Sequence, residues 1–130
     1  MSKRRRSIEV PGLSHGAAPI PLAARVGNVI YSSAISGRDP GTGKLAPTGA
    51  AQVALAFAHM QAILQAGGAT LENVVKLSIT LADNNTREAV NGEWLKCFPD
   101  PHDRPARHIT LHELGNGLAA QLEFVAVLGE

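Results

Sequence analysis

The sequence has little cysteine and no long apolar run, and each shortage excludes a class of protein. One cysteine among 130 residues excludes a disulfide within the chain and favours a reducing, cytoplasmic setting. No apolar stretch approaches the ~18 residues that a membrane-spanning helix needs. No apolar segment follows the basic N-terminus, so no secretory signal is predicted.

An excess of charge of either sign is also missing. Twelve basic and eleven acidic residues leave a formal net charge of +1, and 45% of the residues are apolar. This composition predicts a single soluble domain over residues 1–130. Nucleic-acid binding needs a clustered basic surface, and the one basic cluster is Lys3–Arg6. We interpret residues 1–6 as a solvated flexible tail rather than as a targeting or RNA-binding segment, so a nucleic-acid partner is not expected.

Two helices are predicted from apolar residues at helical spacing. The first runs from Thr48, a candidate N-cap, to Gly67-Gly68, which ends it. The second carries Trp94 and Cys97 on its apolar stripe, so Cys97 is interpreted as a small core residue and not as a nucleophile. His59 lies off the apolar stripe of the first helix and is predicted to be exposed.

Strands are predicted on both sides of these helices. Val74–Ala82 alternates apolar and polar residues, with Val75 on the apolar face. Arg107–Leu114 and Gln121–Leu128 are predicted to close the domain as a hairpin. The element order β-β(-β)-α-β-α-β-β predicts an α+β two-layer sandwich, a mixed sheet with two helices on one face.

The second face of such a sheet is left uncovered. The closing strand has apolar residues at alternate positions, Leu122, Phe124 and Ala126. If these residues line the uncovered face, self-association buries them, so we predict an oligomer.

Metal and cofactor sites are not predicted. His108 and His112 are four residues apart on a predicted strand, hence about 13 Å apart at roughly 3.3 Å per residue, and His102 adds no zinc pattern. Gly41–Lys44 lacks the spacing of a phosphate-binding loop. No Gly-x-Ser-x-Gly motif is present, so a hydrolase triad is not supported.

Arg107 is the leading candidate for ligand binding. It stands at the beginning of a predicted strand, two residues after Pro105. A guanidinium is a rigid fork of donors that matches a carboxylate with two parallel hydrogen bonds. The alternative is a solvated charge at the end of a strand.

Five blocks of sequence carry a resemblance to a known family, in that family's order and spacing. They are Arg25–Ser33, Asp39–Gly43, Gly67–Lys76, Val90-Asn91 and Pro105–Arg107. From about Ile20 to the C-terminus the chain resembles the Rid family, the reactive intermediate deaminases also called YjgF-like or L-PSP endoribonuclease-like. The resemblance implies a chorismate-mutase-like sandwich that forms a homotrimer with clefts between subunits.

The resemblance also implies a chemistry. In the deaminases of the family, the arginine that Arg107 matches binds the carboxylate of a 2-imino or enamine acid. Water attacks the imine carbon and ammonia leaves. Asn91 matches a position in the same pocket, although an ordinary polar helix residue is the alternative.

The sequence departs from the family at four pocket positions. Ile20 replaces a tyrosine, Ala34 a glycine and Ile109 a cysteine, and these changes make the pocket more apolar. Gln121 replaces the glutamate that orients water. A neutral amide accepts a hydrogen bond but takes up no proton, and loss of an acid–base group typically costs about 10²–10⁴ in rate.

Glu123 is the possible substitute carboxylate, since it lies two residues after Gln121 and on the same strand face. A two-residue turn would place His112 opposite Gln121 and Thr110 opposite Glu123. Gln121 and Glu123 would then lie on the face opposite Arg107. A bulge in the turn would change this register. An ordinary exposed strand residue is the alternative for Glu123.

Two functions are retained. The first is hydrolytic deamination, or hydrolysis of a related small carboxylated metabolite, with Arg107 as the anchor and Gln121 or Glu123 holding water. The second is non-catalytic binding or sensing of a 2-oxo acid, which the replacement at Gln121 favours. RNA cleavage, suggested by the older family name, finds support only in the N-terminal basic run.

Overall fold

A computed structural model describes residues 5–129 and shows one six-stranded sheet with two helices packed on one face. The strands are β1 (Ser7–Ile8), β2 (Ala23–Val26), β3 (Val29–Ser32), β4 (Val74–Leu81), β5 (Ala106–Leu111) and β6 (Ala120–Val127). The helices are α1 (Gly49–Ala66) and α2 (Arg87–Cys97). The strand order is β1-β2-β3-β6-β4-β5. The predicted two-layer α+β sandwich is confirmed.

The N-terminal basic run is described only in part. Lys3 and Arg4 lie outside the described residues. Arg5 and Arg6 are exposed, and the Arg6 carbonyl accepts a hydrogen bond from the Arg25 backbone N–H at 2.8 Å. The backbone of Arg6 therefore extends the pairing of β1 with β2.

Strands β5 and β6 do not pair with each other. β4 lies between them, and its residue Thr80 is opposite Thr110 of β5 and also opposite Gln121 of β6. β5 runs parallel to β4 because α2 carries the chain back across the sheet, as a parallel pair requires. The predicted closing hairpin, with His112 opposite Gln121 and Thr110 opposite Glu123, is wrong.

Helix α1 begins and ends where the sequence predicts. The Thr48 hydroxyl accepts a hydrogen bond from the Ala51 N–H at 3.1 Å, and Gly68 turns the chain with a φ of 82°. His59 was predicted to be exposed, but only 9% of its surface is accessible. Its ring Nε2 donates to the Arg38 carbonyl at 2.8 Å, because the loop before α1 folds over this side of the helix.

A bulge changes one position of the predicted core. The pairing of β4 with β6 shifts between Val74 and Lys76. Val74 is therefore 7% exposed and faces the core, whereas Val75 is 50% exposed. The other three predicted core positions of β4, Leu77, Ile79 and Leu81, are buried.

The uncovered face of the sheet differs from the one predicted. Leu122, Phe124 and Ala126 are buried beneath the helices, so their proposed place on the open face is wrong. The open face instead has an apolar patch on β2, β3 and β6. We call it the open-face patch, and its exposed members are Val26, Val29, Tyr31 and Val127.

Cys97 is half-buried and packs against the core, as its helical position predicts. Burial raises the pKa of its thiol, and the nearby Glu93 carboxylate raises it further. A raised thiol pKa leaves less thiolate at neutral pH, and the thiolate is the reactive form.

None of the helices in the described part of the chain is long and apolar enough to cross a membrane.

Gly37 provides a test of the packing between the loop and α1. It is buried, and a Cβ at this position would lie 2.5 Å from Gln52 Cα of α1. We expect Gly37→Ala to lower the free energy of unfolding by about 2–3 kcal/mol, because α1 or the loop must move. Denaturant unfolding measures this change.

Gly92 is the matched control, since it lies in α2 with open space around its Cα. Gly92→Ala should raise the free energy of unfolding by about 0.5–1 kcal/mol, the usual difference in helix propensity. Equal effects of the two substitutions would contradict the close packing of Gly37 on α1.

Candidate functional site

Arg107 lies on β5, the strand at one edge of the sheet. It is opposite Leu77 of β4, whose side chain is buried beneath the helices. Paired residues on neighbouring strands point to the same face, so Arg107 points toward α2. Its side chain is half-buried, because no further strand lies beyond β5 within the described chain.

Two residues of α2 hold the guanidinium. Arg107 Nη1 donates to Asn91 Oδ1 at 2.9 Å, and Arg107 Cζ lies 5.0 Å from the centre of the Trp94 ring. Asn91 and Trp94 are three residues apart, so they share one face of the helix. The contact with Trp94 is a cation–π interaction. The guanidinium is therefore fixed both by a hydrogen bond and by an aromatic face.

No carboxylate of the described residues neutralises the charge of Arg107. Among residues 5–129 the only ion pair joins Lys96 Nζ to Glu93 Oε2 at 3.2 Å. Burial lowers the pKa of Arg107, and the positive charge of Arg87 lowers it further. An arginine nevertheless stays protonated at neutral pH. A half-buried cation beside a second cation, with donors that Asn91 does not use, is an arrangement suited to a small anion.

A cleft of about 470 Å³ forms a second candidate site. Its walls are the loops at residues 12–16 and 34–43, one side of α1 and the beginning of β6. Ala34 and Gln121 both line it, so the structure brings these two predicted residues together. Gln121 is opposite Thr80 on the open face of the sheet.

Two histidines of the same cleft were not predicted as site residues. His15 Nε2 lies 2.7 Å from the Ala34 carbonyl oxygen, and His59 Nε2 lies 2.8 Å from that of Arg38. Both rings are thus tied to the loop that forms one wall of the cleft. Sequence periodicity offers no means of finding a loop residue such as His15, since its position depends on contacts between distant segments.

The two candidate sites are separate within one chain. Arg107 faces the helices and Gln121 faces the open side, with β4 between their strands. Arg107 is opposite Leu77 of β4, and Gln121 is opposite Thr80, three residues further along the same strand. With ordinary spacings along and between strands, the Cα atoms of Arg107 and Gln121 are roughly 14 Å apart. Their side chains point in opposite directions, so one chain does not bring them onto one small molecule.

The remaining predicted site residues lie apart from the cleft. Ile109 is half-buried on the same face of β5 as Arg107 and packs against the core. Ile20 is 49% exposed in the loop before β2. Glu123 is exposed on the open face, opposite Ser78 and two residues from Gln121. None of the three is among the residues that line the described cleft.

Comparison with known proteins adds sequence relationships to this geometry. The profile of the family described as Endoribonuclease L-PSP matches residues 17–128. The 2-iminobutanoate/2-iminopropanoate deaminase of Capra hircus is 32% identical over 126 residues, which cover 96% of this chain and 91% of the goat protein. A RutC family protein of Aquifex aeolicus is 31% identical over 123 residues, 94% of this chain and 98% of that protein.

Comparison of the fold with solved structures indicates the same family relationship as the sequence comparison. The crystal structure of RidA from an Antarctic Psychrobacter species superposes with a TM-score of 0.86 at 27% identity. The superposition covers 95% of this chain and 100% of that one. Sequence and fold therefore agree over almost the whole length, and the chain belongs to the Rid family, the YjgF-like or L-PSP endoribonuclease-like proteins.

Proposed function

We propose that this protein hydrolyses a 2-imino or enamine acid, or a related small carboxylated metabolite, and releases ammonia and a 2-oxo acid. The observation that carries the proposal is Arg107, a half-buried guanidinium that Asn91 and Trp94 hold and that pairs with no carboxylate among residues 5–129. Its free donors match the two oxygens of a substrate carboxylate. The names of the related deaminases support the same substrate class.

The proposal requires more than one subunit. Arg107 and Gln121 point to opposite faces of the sheet, so they reach one substrate only when different chains supply them. We therefore propose a homotrimer with a cleft between each pair of neighbours, in which one subunit contributes Arg107 and Asn91 and the next contributes Ala34 and Gln121. The open-face patch supports this assembly, because a second subunit would remove its apolar side chains from water.

In this cleft each group has one task. Arg107 binds the carboxylate and fixes the imine carbon near the opposite wall. The Gln121 amide oxygen accepts a hydrogen bond from the attacking water and orients it. The C=N bond becomes C=O, and the nitrogen leaves as ammonia. Since the amide takes up no proton, Gln121 alone supplies orientation and not acid–base catalysis.

The apolar replacements bear on which substrate fits. Ala34 lines the cleft, and Ile109 lies beside Arg107 on β5. Ile20 is exposed in the single chain, which leaves it available to a neighbouring subunit. In the proposed trimer these three side chains present apolar surface around the carboxylate anchor, so we expect a substrate with a larger or more apolar side chain than the smallest imino acids.

A binding protein for small carboxylates, such as a 2-oxo acid sensor, is the second candidate. The amide at Gln121 favours it, because a cleft that retains its anchor but lacks a proton acceptor binds without turnover. The two candidates differ in one measurable property, the release of ammonia.

The role of Arg107 is tested with 2-iminopropionate and larger 2-imino acids generated in the assay. We expect Arg107→Ala to lower kcat/KM by at least about 10²-fold, because a charge-assisted bidentate anchor is lost. Arg107→Lys should recover only part of this loss, since a single ammonium does not reproduce the fork. Ammonia release measures both.

Arg6→Ala is the matched control, because it removes an exposed arginine of β1's N-terminal flank and should leave turnover unchanged. Wild-type turnover that survives Arg107→Ala would contradict the assignment of Arg107 as the carboxylate anchor.

Gln121→Glu separates the two candidate functions. Restoring a carboxylate should raise kcat about 10-fold or more, since it adds proton transfer to water orientation. A wild type that releases no ammonia but gains turnover through Gln121→Glu would instead identify a binding protein with the family's cleft.

Glu123→Gln tests the remaining carboxylate on this face, and a loss of turnover in this variant would assign the acid–base role to Glu123.

A further inference from the structure

Arg87 is a second arginine on the helix that holds Arg107. It is the first residue of α2 and is half-buried, as Arg107 is. At about 100° per residue, its position around the helix axis falls between those of Asn91 and Trp94. These are the two residues of α2 that contact Arg107. The face of the helix that holds one guanidinium therefore carries another.

The direction of α2 places Arg87 relative to β5. Because β4 and β5 are parallel, the helix between them runs the opposite way. From Arg107 to Ile109 the chain advances about 6–7 Å along β5. From Asn91 to Arg87 the distance is about 6 Å along α2, in the same direction. Ile109 is opposite the buried Ile79 and so faces α2. Ile109 therefore lies on the path from Arg107 toward Arg87.

The two arginines leave positive charge uncompensated on this face. Within residues 5–129 neither pairs with a carboxylate. Arg87 Nε donates to Asn84 Oδ1 at 3.0 Å, and its two terminal nitrogens make no hydrogen bond to a described residue. Burial lowers the pKa of Arg107, and repulsion by Arg87 lowers it further, so the two cations lie close enough to interact. An arginine in the first turn of a helix gains nothing from the helix dipole, so the stability of α2 does not explain Arg87.

We propose that Arg87 is a second acid-binding residue beside Arg107 and that the substrate is a dicarboxylic 2-imino acid. The inference rests on the proposed hydrolytic function and names the substrate class of that site. Arg107 binds the carboxylate next to the imine carbon, and Arg87 binds the carboxylate at the far end of the chain. The methylene groups between them lie against Ile109, which accounts for an apolar side chain between two cations.

Electrostatics favours such a ligand over one with a single charge. Each guanidinium offers a carboxylate two parallel N–H donors. Two carboxylates would neutralise two half-buried cations that repel each other in the free site, where the charges are screened less than on an open surface. An uncharged chain of the same length would leave Arg87 unpaired. A site built to bind a polar group discriminates against the analogue that lacks it.

Calorimetric titration with stable 2-oxo acids tests the second site without turnover. 2-Oxoglutarate has the second carboxylate, and 2-oxopentanoate has the same chain length without it. We expect the wild type to bind 2-oxoglutarate at least about 10-fold more tightly and Arg87→Gln to lose this preference. Arg87→Lys should keep part of it, because the charge remains without the fork. Equal affinity of the wild type for the two acids would overturn the inference.

Turnover gives a second measure of the same preference. Ammonia release is followed with 2-iminoglutarate and 2-iminopentanoate generated in the assay. We expect Arg87→Gln to lower the ratio of kcat/KM for the dicarboxylic substrate to that for the monocarboxylic one about 10-fold.

Lys96→Gln is the matched control, because it removes one positive charge from the same helix. Lys96 is exposed and lies about 180° around the helix axis from Arg87. This variant should leave the ratio unchanged. Equal falls in the two variants would reduce the effect to net charge and overturn the role of Arg87.

A carboxylate of a neighbouring subunit is the competing partner for Arg87. In that case Arg87→Gln would lower the mass seen by light scattering toward that of a monomer. It would also leave the ratio of kcat/KM values at the wild-type level. This pair of results would overturn the inference and assign Arg87 to assembly.

Failure of this inference is distinguishable from failure of the proposed function. If the wild type releases ammonia and Arg107→Ala does not, but Arg87→Gln keeps the wild-type ratio, the hydrolytic function stands and Arg87 is not a substrate-binding residue. If the wild type binds 2-oxoglutarate through Arg87 but releases no ammonia, the hydrolytic function fails and the second acid-binding residue stands in a binding protein.

Discussion

The parallel pairing of β4 with β5 is the constraint on which the candidate site depends. α2 returns the chain across the sheet, so the edge strand β5 lies directly beside the helix that precedes it. Arg107 therefore points at α2, where Asn91 and Trp94 hold its guanidinium. The same pairing leaves β6 on the other side of β4, which puts Gln121 on the opposite face. This one topological feature thus fixes the position of Arg107, the proposed anchor, and places Gln121, the proposed water-binding residue, on the other face of the sheet.

The electrostatics of the anchor follow from its position at the sheet edge. A half-buried guanidinium loses part of its hydration, and Asn91 replaces only one hydrogen bond. Proteins usually compensate such a charge with a carboxylate, but none pairs with Arg107 in the described chain. In the proposed function a substrate carboxylate supplies the missing charge, and this local imbalance is the physical reason for proposing that the site binds small acids.

The sequence predicted the parts of the fold that depend on local patterns. The cap at Thr48 and the glycine end of α1 follow from residue type and spacing. The place of Arg107 beside Asn91 followed from the family resemblance, and the structure brings the two side chains to 2.9 Å. The helix contact of Trp94 with Arg107 was missed, since an aromatic residue on an apolar stripe is equally consistent with a plain core position.

The predictions that failed depended on which distant segments become neighbours. Turn residues after β5 indicate a reversal of the chain but do not specify which strand becomes the neighbour. The predicted hairpin of β5 with β6 was wrong because β4 lies between them. His59 was assigned from its own helix, whereas its burial comes from a loop that precedes α1. His15 was found only in the structure, because the loop containing it reaches the cleft through a contact with Ala34, 19 residues away.

The central claim, a cleft shared between subunits, is tested most directly by mixing two inactive variants. Arg107→Ala lacks the anchor, and Ala34→Trp fills the opposite wall. If the proposed trimer forms, refolding from equal amounts would give a quarter of the clefts the intact anchor of one subunit and the intact wall of the next, so about a quarter of wild-type ammonia release should return. Mixed trimers that stay inactive would contradict the shared cleft.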